Sequence, residues 1–310
     1  MPLKVDAYDN EVFEVSDRML AWADIKESHR IQQVLYAQAI GIEFVTVGER
    51  KEECLKLNYG GILGYLPITL IDNYKFKGLQ NFLGKRFEFV VEHVDIETQM
   101  FVANRIKALE LLSKRFWDRV QEGQVYEAFV RGVDPFNLFL LVDGVPAKMT
   151  RDEYSYSYIQ DLRDEIQIGD VIDVKILRFA KPGEKFEKVN ANGSIVESIA
   201  GEEGYLSVSR KVLTEDPWNN IVNYHEGCYY LGTIKDIHMD HGIFIELEPG
   251  IDVRVNFPPN SSGRLFKRGN QVNVKINQID VKNRRIKAII VDPRQNIGKR
   301  RFGHRRGLVR

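Results

Sequence analysis

The chain has 310 residues, 44% of them hydrophobic and 28% charged, and its 44 Lys and Arg balance its 44 Asp and Glu. This composition is typical of a folded globular protein and argues against a disordered one. There is no apolar run long enough for a transmembrane helix, no signal-peptide pattern in residues 1–10, and no cysteine pattern that indicates a disulfide framework. The sequence therefore predicts a cytoplasmic protein with reduced thiols.

The charge is unevenly distributed along the chain. Residues 294–310 carry seven Lys or Arg and no acidic residue, which leaves 37 basic against 44 acidic side chains in the rest. A mildly acidic body with a cationic tail is an asymmetry that favours a separate role for the tail.

The first hundred residues predict a β-rich domain with one helix near its start. Alternation of apolar and polar residues over 1–15 favours an edge strand, and the spacing of Met19, Leu20 and Ala23 then favours a helix. Further strands and a glycine-rich turn are predicted in the order 33–47, 58–64, 86–94 and 100–103.

The clearest helix in the sequence covers 103–121. Its apolar residues fall on one face and are Ile106, Leu109, Leu112, Phe116 and Val120. Gly123 follows where a C-terminal cap belongs, so the helix is expected to link a first domain to a second.

The remaining sequence predicts two more β-rich domains. The second has strands at 124–133, 137–142, 169–179 and 205–209, with an elongated hairpin or loop inserted at 181–204 and a linker at 211–223. The third has five short strands with glycine turns, at 227–237, 242–247, 251–257, 270–279 and 285–291. Five short strands over so few residues indicate a small barrel.

The tryptophans suggest that one module is repeated three times. Trp22, Trp117 and Trp218 are each followed three residues later by Ile or Val and then by a β-rich stretch. The spacing is close to one hundred residues, which suits a complete small domain and its linker rather than a solenoid repeat.

A family resemblance rests on motifs in the third domain. Its first hairpin, at 232–247, reads Gly-Thr-Ile-Lys-Asp-Ile-His-Met-Asp-His-Gly-Ile-Phe-Ile-Glu-Leu, and Pro-Gly-Ile-Asp follows at 249–252. Its later strands carry Gly-Asn-Gln-Val-Asn-Val-Lys-Ile at 269–276 and Arg-Arg-Ile at 284–286. These motifs resemble the RNA-binding domain named after bacterial ribosomal protein S1. The second domain resembles it more loosely and the first more loosely still.

The resemblance implies a mainly β protein of three consecutive five-stranded OB-fold barrels of the S1 type, joined by helical linkers. The expected segments are a divergent S1-like domain with an N-terminal helix, a linker helix, an S1-like domain with a long insertion, an S1-type RNA-binding domain and a basic disordered tail. They cover residues 1–110, 111–122, 123–213, 214–293 and 294–310, respectively.

The resemblance also implies RNA-binding positions in the third domain. In the family, two aromatic residues, a histidine, an aspartate and an arginine on one barrel face contact RNA. Here these positions fall on His241, Phe244, Asn256, Asp280 and Arg285, with Arg284 adjacent. His241 replaces an aromatic residue and Asn256 replaces a histidine, yet both retain stacking or hydrogen-bonding ability.

The first two domains depart further from the family pattern. In the second domain the aromatic pair falls on Phe136 and Phe139, and Thr150 takes the histidine position. In the first domain the hairpin at 47–57 has no aromatic residue, and Pro67 takes the histidine position. The first domain is therefore expected to bind RNA poorly and to dock on a protein.

Binding of single strands without sequence preference requires aromatic surfaces for bases and cations for phosphates. Cations suited to a phosphate track are Lys235, Arg254, Lys275, Arg284 and Arg285, and further tail contacts are predicted for Lys299, Arg300, Arg301, Arg305 and Arg306. Two alternatives stay open. Each phenylalanine taken alone is more often a core residue, and the tail is otherwise a solubilising terminus.

No catalytic motif is present in the sequence, and no cofactor or metal is predicted. His238 and His241, with Asp240 between them, have metal-like spacing, but no cysteine or third histidine lies nearby, which favours surface histidines over a metal site. The leading interpretation is a non-enzymatic protein that binds single-stranded RNA in translation or RNA handling. Its first domain would dock on the ribosome or RNA polymerase, and no membrane is involved. The alternative is an assembly module, including a virus-encoded one, that binds no nucleic acid.

Overall fold

The computed structural model describes residues 8–47, 50–74, 76, 78–189, 195–257 and 266–291. The described residues divide into two compact units. The first unit combines the chain up to Arg151 with Asp161–Arg210, and the second combines Asp152–Gln160 with the chain from Lys211 onward.

The protein is mainly β, as predicted. Its α-helices are α1 (Tyr8–Ile31), α2 (Arg105–Arg119) and the single turn α3 (Arg151–Tyr154). The strands before the insertion are β1 (Leu35–Val47), β2 (Arg50–Tyr59), β3 (Ile62–Pro67), β4 (Arg86–Asp95), β5 (Met100–Asn104), β6 (Val125–Val133), β7 (Asn137–Val142), β8 (Val145–Thr150) and β9 (Val171–Ala180). The later strands are β10 (Lys185–Val189), β11 (Ile195–Ile199), β12 (Tyr205–Ser209), β13 (Tyr229–His238), β14 (Gly242–Glu248), β15 (Ile251–Val255), β16 (Gln271–Asp280) and β17 (Arg285–Ile290).

Three five-stranded sheets share one connectivity. The first and third are closed barrels with the strand orders β1-β2-β3-β5-β4 and β13-β14-β15-β17-β16. In both, the third strand pairs in parallel with the fifth. The middle sheet, β12-β9-β6-β7-β8, keeps the same neighbours but is not closed between its third and fifth strands. Strands β10 and β11 form the predicted hairpin insertion as a separate two-stranded sheet.

The prediction of an edge strand at 1–15 is wrong where the structure can test it. Helix α1 already begins at Tyr8, because no glycine or proline interrupts the sequence from there to Ile31. The helix predicted from the spacing of Met19, Leu20 and Ala23 is present, but Met19 and Leu20 are exposed and its buried residues include Ala21 and Ile25.

Helix α2 confirms the predicted helix and forms part of the first unit's packing. The Asn104 side chain accepts a hydrogen bond from the Lys107 amide and so caps the helix N-terminus. Leu109 is buried, and its carbonyl oxygen would lie 2.1 Å from a Cβ placed at Gly144 in the β7–β8 turn. Glycine is therefore required at this close approach, where its φ is +82°.

A fully buried arginine connects the first two sheets. The Arg105 guanidinium lies 2.7 Å from Glu88 Oε1 on β4 and donates a hydrogen bond of 3.3 Å to the Ile71 carbonyl. It also lies 4.6 Å from the ring centroid of Phe129 on β6. Phe129 joins the buried hydrophobic cluster of the first barrel. The two sheets of the first unit therefore share a core. The sequence predicted α2 only as a linker between two domains, so this shared core was not expected.

The second unit has a core of its own. Its buried cluster is mostly aliphatic and includes Ile243, Ile245, Val253, Val274 and Ile286. The five strands predicted for this region are confirmed, with end points shifted by a few residues. No helix within the described ranges is both long enough and apolar enough to cross a membrane.

Candidate functional site

One outer face of the third barrel is built by alternation on β14, β15 and β17. On β14, Ile243 and Ile245 are 0% exposed and point into the core. Phe244 lies between them and is only partly buried, so its ring points outward. The alternative in which Phe244 is a core residue is therefore wrong. The same alternation turns Arg254 on β15 and Lys287 on β17 outward.

These outward residues line a groove of about 940 Å³. Five residues predicted from the sequence line it, and they are Phe244, Arg254, Asn256, Arg284 and Arg285. Lys287 lies among them, although the sequence interpretation did not select it. The sequence did contain a signal for Lys287. Arg285, Lys287 and Ile289 alternate along β17 with the buried Ile286 and Ala288, which places them on the same outer face.

The strand register places the aromatic ring and two cations in one row across the sheet. Phe244 pairs with Arg254, and Arg254 pairs with Lys287. Arg254 Nε donates a hydrogen bond of 2.6 Å to the His241 carbonyl, which holds the arginine at the turn before β14. A stacking surface beside a line of cations is the arrangement that suits a strand of bases linked by phosphates.

The other side of Phe244 is acidic. Glu246 pairs with Asp252 across β14 and β15. Lys235 Nζ lies 2.7 Å from Glu246 Oε2, while Glu246 Oε1 is buried and has no hydrogen-bond partner among the residues that the structure describes. Burial, followed by the charge of Glu246, raises the pKa of Asp252 to about 6. Glu246 and Asp252 thus form the row next to that of Phe244, Arg254 and Lys287, and Asp252 lines the same groove as the cations.

The remaining predicted residues of the third domain have structural partners. Asp280 accepts hydrogen bonds from the amide and the side chain of Asn283 in the β16–β17 turn, and these bonds lower its pKa. Arg284 has a φ of +50° and lies 2.5 Å from Asp216 Oδ2. The Lys275 ammonium lies 5.6 Å from the ring centroid of Tyr229.

The two neighbouring histidines form a ring cluster with Phe244. The His238 ring meets Phe244 edge-on at 5.7 Å and lies 6.0 Å from the His241 ring. His238 Nε2 is 2.9 Å from Asp236 Oδ2. Among the residues that the structure describes, no group of three or more His, Cys, Asp or Glu is arranged to hold a metal ion.

The middle sheet presents both of its predicted aromatic residues. Phe136 is 56% exposed in the β6–β7 turn, with the Arg151 guanidinium 5.1 Å from its ring centroid. Phe139 is partly buried on β7, and the Lys148 ammonium lies 6.0 Å from its ring. Each ring therefore has a cation beside it, as Phe244 has Arg254.

A bulge in the first strand of each sheet allows the three faces to be compared. The residue after the bulge pairs with Lys56 in the first sheet, Phe139 in the second and Phe244 in the third. These residues pair in turn with Tyr65, Lys148 and Arg254 on the next strand. Two residues further along that strand lie Pro67, Thr150 and Asn256. These are the three residues that the resemblance places at the family's histidine position.

The first barrel reverses the aromatic and the cationic positions and neutralises the cation. Lys56 Nζ lies 2.5 Å from Glu43 Oε1, and the Tyr65 hydroxyl donates a hydrogen bond of 3.1 Å to Glu43 Oε2. The bond from Lys56, followed by that from Tyr65, lowers the pKa of Glu43. An ionised carboxylate thus pairs with Lys56, the residue that stands where the other sheets place an aromatic ring. The tail cations Lys299, Arg300, Arg301, Arg305 and Arg306 lie outside the described residues.

Comparison with known proteins points to one family. Small ribosomal subunit protein bS1 of Mycolicibacterium smegmatis is 24% identical over 92% of this chain and 61% of its own length. The bS1 of Neisseria meningitidis is 24% identical over 75% of this chain and 40% of its own length. The resemblance to S1-type repeats is confirmed. The matched S1 proteins are longer, and the chain spans about two fifths to three fifths of their length.

A further relative carries a different name. The 4-hydroxy-3-methylbut-2-enyl diphosphate reductase of Clostridium acetobutylicum is 28% identical over 74% of this chain, but the match covers 34% of that protein. No protein-family model matches the chain. A Pyrococcus horikoshii a/eIF2alpha–aDim2p–rRNA complex gives a TM-score of 0.22 at 18% identity over 34% of this chain and 52% of that one, too low to support any conclusion.

Proposed function

We propose that this chain binds single-stranded RNA and that the groove beside Phe244 is its principal RNA contact. The proposed role is non-enzymatic and lies in translation or RNA handling in the cytoplasm, where its S1 relatives belong to the ribosome. The observation that carries the proposal is the outward ring of Phe244 in one row with Arg254 and Lys287. Arg285 lines the same groove and adds a third cation.

We further propose that all three sheets are S1-type OB barrels. Their common strand neighbours and their equivalent bulges support this proposal. The proposed domain limits remain 1–110, 123–213 and 214–293. Phe136 and Phe139 of the second domain would then add stacking positions to those of the third.

The first barrel is proposed to dock on a protein assembly rather than on RNA. Glu43 engages both Lys56 and Tyr65, so the cation at the position equivalent to Phe244 is already paired with a carboxylate. The ribosome is the proposed assembly because bS1 proteins of several bacteria are among the matched relatives. RNA polymerase remains a second candidate on the resemblance alone.

The proposal is tested by fluorescence anisotropy of the intact chain with a labelled single-stranded oligoribonucleotide over a salt series. Binding should weaken steeply as salt rises, because phosphate contacts release counterions. The triple variant Arg254→Ala/Arg285→Ala/Lys287→Ala should flatten the slope of log K against log salt by about 2, at roughly 0.7 per phosphate contact.

A matched charge control uses three exposed cations of the first unit, Arg115, Lys114 and Arg163. Their replacement by alanine removes the same charge and should leave the slope almost unchanged. If the wild-type chain does not bind RNA even at low salt, the proposal fails, and the acidic pair Glu246 and Asp252 would favour a protein partner for this face.

A further inference from the structure

A short segment outside the barrel, which we name the strap, covers one side of the third barrel. The strap is Asp152–Gln160, and it belongs to the second compact unit together with the chain from Lys211 onward. It begins within α3 and has tyrosine at the alternate positions 154, 156 and 158.

The strap is held along its whole length. Lys211 Nζ donates hydrogen bonds of 2.7 Å to the Asp152 carbonyl and 3.0 Å to Glu153 Oε1. Near the middle, a Cβ placed at Gly250 would lie 2.9 Å from Tyr156 Cβ, so the two backbones approach closely.

The second half of the strap is held on the barrel face itself. The Tyr158 amide donates a hydrogen bond to the Asp252 carboxylate, and Arg268 donates one to the Gln160 side chain. With these contacts at both ends and between them, the strap is a fixed wall of the unit rather than a loosely placed cover.

The strap places a second aromatic ring beside Phe244. The Tyr158 and Phe244 rings are nearly parallel, with an interplanar angle of 15° and centroids 6.2 Å apart. Both residues are only partly buried. The groove lined by Phe244, Arg254 and Lys287 is not lined by Tyr158, so the strap leaves that cationic groove open.

We infer that Tyr158 is an RNA-binding residue that provides a second stacking position next to Phe244. This inference rests on the proposed function and names a contact that the S1-type hairpin does not contain. Two aligned rings present π faces to successive bases, which is how proteins bind single strands without reading their sequence. The bound RNA strand would place its phosphates along Arg254 and Lys287 and its last stacked base against Tyr158 of the strap.

The polar groups at the strap favour a base or sugar over a phosphate at this end. Asp252 is only partly buried and binds the Tyr158 amide, so its carboxylate lies at the strap beside the two rings. Carboxylates repel phosphates but accept hydrogen bonds from exocyclic amino groups and from the ribose 2′-hydroxyl. The strap end is therefore suited to the nucleoside part of the ligand.

The test compares three variants of the full chain, Tyr158→Ala, Tyr158→Phe and Tyr156→Ala. Each is titrated by anisotropy with labelled oligouridine and with an abasic oligomer that has the same number of phosphates. Tyr158→Ala should lose about tenfold in affinity for oligouridine and nothing for the abasic oligomer. Tyr158→Phe should retain affinity, and Tyr156→Ala should behave like the wild type, because Tyr156 packs against Gly250 instead.

The outcomes separate this inference from the proposed function. If the wild type binds RNA and Phe244→Ala weakens binding, but Tyr158→Ala does not, the inference is wrong while the proposed function stands. If Tyr158→Ala binds more tightly, the strap is an inhibitory cover and the inference is also wrong.

A second measurement serves if Tyr158→Ala fails to fold. Ultraviolet cross-linking of the wild-type chain to 5-bromouridine RNA should label the peptide that contains Tyr158. Labelling of Phe244 without Tyr158 would overturn the inference.

Discussion

Lys56 in the first barrel occupies the register position that Phe244 occupies in the third. Each pairs with the residue that follows the bulge of its first strand, Gly41 in one barrel and Asp236 in the other. Lys56 is bound to Glu43, whereas Phe244 lies beside Arg254 and an open groove. The same backbone thus presents a neutralised ion pair in one barrel and an aromatic ring in a row with two cations in the other.

This difference predicts that the two positions contribute unequally to RNA binding. Lys56→Ala should leave RNA affinity within about twofold of the wild type, because the Lys56 charge is already paired with Glu43. Phe244→Ala, measured by anisotropy under the same conditions, should lose much more. An equal loss in both variants would show that the first barrel also binds RNA.

The pH dependence of stability should reveal Asp252. A carboxyl group in the unfolded chain has a pKa of about 4, whereas burial and Glu246 raise the pKa of Asp252 to about 6 in the fold. The folded state therefore binds this proton more tightly. The stabilisation is fully present below about pH 4 and is lost as pH rises through about 6.

Asp252→Asn removes this charge and keeps an oxygen that accepts the Tyr158 amide. Calorimetry should show the variant melting above the wild type at about pH 7.5 and at the same temperature at about pH 4. Asp240 is an exposed carboxylate in the β13–β14 turn, and Asp240→Asn removes the same charge. The difference in melting temperature between this control and the wild type should not follow the pattern expected for Asp252→Asn at the two pH values. Asp252→Asn melting below the wild type at the higher pH would mean that Lys235 outweighs burial and Glu246.

Arg105 should be critical for the first unit. Arg105→Ala leaves Glu88 without its buried partner and removes the contact with Phe129, so unfolding should require about 3–5 kcal/mol less free energy. Arg105→Lys should recover little, because an ammonium does not reproduce the planar guanidinium contacts. Arg115→Ala, at an exposed position of the same helix, should change stability by about 0.5 kcal/mol or less in urea unfolding.

Much of the third barrel was predictable from the sequence because each strand alternates and each turn contains glycine or asparagine. The alternation around Phe244 predicts its strand, and the family motif predicts the direction of its ring. Short-range patterns failed at α1, where an apparent alternation lies within a helix, and at β8, which was not predicted as a strand.

The strap and Arg105 depend on contacts between residues far apart in sequence. Tyr158 meets Phe244 across 86 positions of the chain, and Arg105 meets Phe129 on another sheet. Periodicity within a window of residues carries no information about such pairs. Their discovery therefore required the structure.

The tail should contribute to affinity through charge alone. Deletion of 294–310 removes seven positive charges and should flatten the salt slope of RNA binding by up to about 5, at roughly 0.7 per phosphate contact. Discrimination among base sequences and the melting temperature should stay the same. An unchanged salt slope would show that the tail does not contact RNA.

The most direct test of the central claim compares two neighbours on β14 that point to opposite sides of the barrel wall. Phe244→Ala should weaken binding of single-stranded RNA by about tenfold or more, since stacking contributes roughly 1–3 kcal/mol per base, while the third barrel stays folded. Ile245→Ala should instead destabilise the fold by about 2–5 kcal/mol and leave the affinity of the folded fraction unchanged. Unchanged RNA affinity in a folded Phe244→Ala protein would contradict the account.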